Sequence, residues 1–146
     1  MKKIAILMML TLLANGCGSS NNSSQAAAGG SWQAQLSGGV GPASGFSFIT
    51  AFTVNGDGSL SISNFQFLTT GTCFVSGETE SGTLIVTTNS QNTVTGTLKF
   101  VVTSGSPSGN TLTLNGSEVA NTITGNWTLT GSNGCASTGP FTMTQS

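Results

Sequence analysis

From residue 31 onward, apolar and polar residues alternate with a period of two, the spacing that sends successive side chains to opposite faces of a β-strand. Trp32, Ala34 and Leu36 alternate with Gln33 and Gln35. After a Gly-rich stretch at 38–45, Phe46, Phe48, Phe52 and Val54 share one face, and Ser47, Ile49, Ala51 and Thr53 share the other. Asn55-Gly56-Asp57-Gly58 follows, and these residue types favour a hairpin because they tolerate positive φ. The next apolar set opens at Leu60 and Ile62 but continues at Phe65 and Phe67. That change from even to odd positions predicts a β-bulge near Ser63-Asn64, which restores the inward phase.

The second half continues in the same manner, with strands expected at 73–79, 83–88, 93–103, 111–115, 121–130 and 141–144. Glu80-Ser81-Gly82, residues 89–92 and residues 104–110, with Pro107 inside, read as connections. Turn signals every 8 to 12 residues or so and no helical periodicity predict an all-β domain. The expected architecture is an antiparallel up-and-down meander of eight or nine strands closing into a small barrel, with a two-sheet β-sandwich as the alternative. Gly96 and Gly125 each occupy an inward phase between apolar residues. They read as bending positions that leave room for an aromatic ring from across the interior.

The chain before residue 31 is different. Lys2 and Lys3 precede the apolar run 4–13, followed by Ala14-Asn15-Gly16-Cys17. A charged start and a short apolar run form an export signal, because spanning a bilayer takes about 20 apolar residues. With Cys17 placed after small residues, the segment resembles the lipobox of bacterial lipoproteins. It departs from that pattern in the position of Leu13 and in Asn15. The resemblance implies cleavage after residue 16, lipid on Cys17, and a location in the bacterial cell envelope, with Gly18 pointing to the outer membrane. Residues 17–30, nearly all Gly, Ser, Asn, Gln and Ala after the cysteine, read as a flexible linker to a single domain at 31–146.

Of the three cysteines, lipidation of Cys17 would leave Cys73 and Cys135 for one disulfide in an oxidising compartment. The strand assignment conflicts with that pairing. Five expected strands between the two cysteines would place them at opposite ends of a meander, beyond the roughly 7 Å that a disulfide allows between Cα atoms.

Gly30-Ser31-Trp32, continuing to Leu36, resembles the opening strand of calycins, the superfamily of lipocalins and avidins. That resemblance implies a barrel able to hold one small apolar or sugar-like ligand. Trp32, Phe46, Phe48, Phe52, Phe100 and Trp127 are then the candidate lining residues; otherwise they fill a core. The basic side chain that lipocalins pack over this Trp has no counterpart, since the chain has no Arg and Lys99 is its only Lys beyond the signal.

Charge and chemistry narrow the function classes. Without Lys2 and Lys3, one Lys faces Asp57, Glu78, Glu80 and Glu118, for a net charge of 1 − 4 = −3. Such a surface does not neutralise phosphates, so nucleic acid is not an expected partner. With no His or Tyr, general acid and base groups are scarce and a zinc site lacks ligands. Glu78 and Glu80 form the best carboxylate pair for a hydrolase, with a solvated strand end as the plainer reading. Asp57 alone is too few oxygens for calcium. The expectation is therefore a non-enzymatic envelope lipoprotein without cofactor or metal. Its β domain is structural or contacts an envelope protein, and binding of a small apolar ligand is the alternative.

Overall fold

The computed structural model describes residues 29–74, 77–88, 94–105 and 109–146. The expected signal at 1–16, Cys17 and most of the linker lie outside them, as do Pro107 and the whole 89–92 connection. Eight strands form one antiparallel sheet: β1 (Gly30–Leu36), β2 (Ser47–Val54), β3 (Leu60–Thr69), β4 (Thr79–Thr88), β5 (Val94–Thr103), β6 (Thr111–Val119), β7 (Thr122–Thr130) and β8 (Ser137–Gln145). Their order is β3-β2-β1-β8-β7-β6-β5-β4, so the pairing of β1 with β8 rolls the meander into a barrel. The strands β3 and β4 face each other across a seam that is not sealed.

Two structural ends follow from this topology. The entry end carries the start of β1, the turns after β2 and β6, and the end of β8. The tied end carries the connections after β1, β3, β5 and β7.

Along each strand the expected alternation decides which residues face inward. Trp32, Ala34, Leu36, Phe48 and Phe52 are buried, as are Leu98, Phe100, Val102, Leu112, Leu114, Ile123, Trp127, Leu129, Phe141 and Met143. Thr50 is also inward, where its hydroxyl donates to the Asn64 carbonyl at 3.0 Å. The outward positions are mainly Thr, Ser, Asn and Gln, whose branched or amide side chains suit a solvated pleat.

Ala51 pairs with Asn64 while Phe52 pairs with Ile62, leaving Ser63 as the bulged residue in the expected place. A second bulge skips Leu68, since Ser47 pairs with Thr69 and Phe48 with Phe67.

Three expectations are corrected. Cys73, Phe74, Gly77 and Glu78 precede the strand, which begins at Thr79. Glu80-Ser81-Gly82 is therefore part of β4, paired with Val102, Val101 and Phe100. Gly82 suits a strand here because a Cβ would meet the Lys99 carbonyl at 2.6 Å and Leu60 Cδ1 at 3.0 Å. The strand expected at 111–115 runs on to Val119, with Gly116 paired to Gly125. With these changes four strands, β4 to β7, separate the cysteines, and an even number returns them to one end.

The seam holds by little. Ser59 forms an isolated bridge with Thr83, and the Leu84 N–H donates to the Gly58 carbonyl at 2.8 Å. The remaining strand edges are blunted in the ways that discourage pairing with another chain. Bulges at Ser63 and Leu68 bend β3, and on β4 the charged Glu80 occupies the interior phase opposite buried Val102.

Candidate functional site

At the tied end, Cys73 and Cys135 form a disulfide with Cα atoms 5.6 Å apart, joining the connection after β3 to that after β7. Asn110 draws in a third connection. Its side-chain N–H donates to the Cys73 carbonyl at 2.8 Å, and its Oδ1 accepts from the Ser132 N–H at 3.3 Å. Trp127 Nε1 donates to the Ser37 carbonyl at 2.9 Å, which brings in the connection after β1. Among the described residues, these contacts cross-link four connections into one platform.

The six candidate lining residues all lie in the interior, in two groups. Trp32 stacks on Phe52, with rings 5.9 Å apart and 3° from parallel. The other four belong to a continuous run of rings: Trp127 meets Phe46 edge-on, Phe46 reaches Phe67, Phe67 reaches Phe48, and Phe48 stacks on Phe100. These rings occupy one another's faces and edges as core residues do.

Of the carboxylates, Glu78 and Glu80 lie near each other, while Asp57 and Glu118 stand apart. Asp57 sits in the exposed β2–β3 turn, where the Ser59 hydroxyl and N–H both donate to its Oδ1. Those hydrogen bonds, the hydroxyl's first, hold its carboxyl below the ordinary carboxylate range. Glu80 and Glu78 lie toward the tied end at the seam. Partial burial, and then the charge of Glu78, push Glu80 upward. Among the described residues no three His, Cys, Asp or Glu side chains group as metal ligands.

Glu118 is the residue that sequence reasoning passed over. It lies on β6 in the inward phase of Leu112 and Leu114, with 1% of its surface exposed. Its Oε2 has no hydrogen-bond partner, and burial raises its carboxyl above the ordinary range. Gly96 on β5 makes the room, because a Cβ there would lie 2.9 Å from that Oε2 and 3.0 Å from Leu84 Cδ1. The space over Gly96 is thus filled by a carboxyl rather than an aromatic ring. At Gly125 the space is taken by the β6 backbone, with Gly116 Cα 2.5 Å from where a Cβ would lie, and it is Gly116, its partner, that makes room for a ring, since a Cβ there would lie 2.7 Å from Phe141 Cζ. The signal for Glu118 was its even numbering, in step with two leucines. Among the described residues, Trp32 Nε1, also at the entry end, is the other buried side-chain polar atom without a hydrogen-bond partner.

Outside the wall, a depression of about 290 Å³ overlies the Gly96–Glu118 pair, flanked by Ile85, Thr87, Thr95, Ser117 and Val119. Alternation puts these flanking side chains outside and the Glu118 carboxyl inside.

Comparison with protein-family models, with curated proteins and with solved structures gives no match.

Proposed function

We propose that this chain is a non-enzymatic lipoprotein of the bacterial cell envelope, anchored through lipid on Cys17, whose barrel is a structural or protein-contacting domain. The observation that carries this reading is the Cys73–Cys135 disulfide, a bond that belongs to an oxidising compartment and agrees with an export signal. The ring-on-ring packing of the six interior aromatics supports a core over a ligand cavity. On this reading the tether enters at Gly29, the entry end faces the membrane, and the cross-linked platform faces outward to meet another envelope component.

Metabolic labelling with a fatty acid tests the anchor. Wild-type protein is expected to take up label and Cys17→Ser to lose it, and label retained in the variant would refute the assignment.

A further inference from the structure

We propose that Glu118 is a proton-operated latch for the entry end of the barrel: its carboxyl sits closed inside the wall while protonated, and ionisation releases the end of the β6–β7 hairpin.

Three independent observations lead here. First, the Glu118 carboxyl is enclosed with one oxygen unpartnered, and a buried ionised carboxylate without a partner is costly enough that the protonated form is the one that stays. Second, it lies at the penultimate position of β6, one residue from exposed Val119, so its route to water is short. Third, the two-residue turn that follows is strained. Ala120 has φ 54°, a left-handed conformation that a residue with a Cβ adopts at a cost. The Gln145 N–H donates to the Asn121 carbonyl at 3.1 Å, and Thr122 pairs with Thr144, so release of the hairpin end breaks these links to β8.

Among the described residues no positive charge inside the barrel offsets the carboxylate. The packed elements present Leu84 and Val86 from β4, Gly96 and Leu98 from β5, and Ile123 from β7, none of which titrates. Lys99 alternates to the outer face of β5, and Glu80 lies at the far end of β4. Asp57, in the neighbouring β2–β3 turn, carries the same sign as an ionised Glu118. The sequence of the β4–β5 connection, Asn89-Ser90-Gln91-Asn92-Thr93, holds no ionisable group.

Opening moves Glu118 to solvent together with the Val119–Thr122 pair, and it uncovers the apolar entry-end interior around Ile123 and Leu84. The tied end, held by its disulfide and by Asn110, stays shut.

Amide exchange of the intact chain between about pH 5 and pH 8 tests this, expressed as protection relative to the unstructured rate. Opening measured at Val119 and Thr122 is expected to grow as pH rises above the ordinary carboxylate range, by up to about tenfold per pH unit while the open form ionises and the closed form keeps its proton, and to level off once the closed form ionises too. Ser104 and Cys135 at the tied end should show no such slope. In Glu118→Gln the slope is expected to vanish, and Glu118→Leu provides the same reading should the amide variant fail to fold. A slope at Val119 unchanged in the variants, or a slope shared by both ends of the wild type, would overturn the proposal.

Discussion

The two ends of the barrel are built from the same strands but solve burial in opposite ways. At the tied end three connections are bonded to one another and the fourth is bonded to β7 through the buried indole of Trp127. At the entry end a buried indole and a buried carboxyl each keep an atom unpaired, and the β6–β7 turn places an alanine at positive φ. Stability and responsiveness are thereby separated along the barrel axis. Elements that open locally come from the less satisfied part of a fold, since a paired buried group resists exposure and an unpaired one does not.

Removing the covalent stitch should break this contrast most strongly. For Cys73→Ala with Cys135→Ala, a sequence separation of 62 residues corresponds to about 4 kcal/mol lost on the chain-entropy estimate. Urea denaturation checks the loss, and a change well under 1 kcal/mol would show that the tied end is held by packing alone.

Glu118→Leu should act in the opposite direction, stabilising by about 1–2 kcal/mol at neutral pH. The sign follows from the raised carboxyl. The folded chain keeps the Glu118 proton to a higher pH than the unfolded chain, so wild type loses stability as pH rises from the ordinary carboxylate range through the folded value. The leucine variant lacks that loss. Its advantage should grow with pH across this window and be least at its acid end, as unfolding midpoints at the two pH values would reveal.

A finer comparison pairs the indoles. Trp127→Phe and Trp32→Phe both shrink a buried ring, but only the first removes a hydrogen bond, so Trp127→Phe should cost about 1 kcal/mol more. Equal losses in thermal unfolding would erase the distinction between satisfied and unsatisfied ends.

Much of the barrel is legible in the chain because a strand's side-chain period is two and a slip must show. The even-to-odd switch from Ile62 to Phe65 locates the bulge at Ser63, and the cysteine arithmetic anticipates the bond between Cys73 and Cys135. The misreadings share a cause. Glu80-Ser81-Gly82 has the composition of a turn, yet the close approach of the Lys99 backbone and Leu60 makes glycine suitable inside β4. The strand expected at 111–115 likewise stops just before Gly116, which left Glu118 outside any strand. What local composition does not contain is the neighbour across the ladder: Gly96 vacates the space that Glu118 fills, and the two are 22 positions apart.

The place of β1 has a mechanical consequence. It is the first strand of the barrel in sequence, yet it lies between β2 and β8 and is hydrogen-bonded to both along its length. Gln145 Nε2 also donates to the Gly29 carbonyl at 2.7 Å, and the Ser146 N–H donates to the Ser31 carbonyl at 3.0 Å. A load entering through the residue before Gly29, with the opposite end held, would pull β1 along its own axis and strain two ladders in parallel. The chain would resist such a pull in shear rather than unzip one bond at a time.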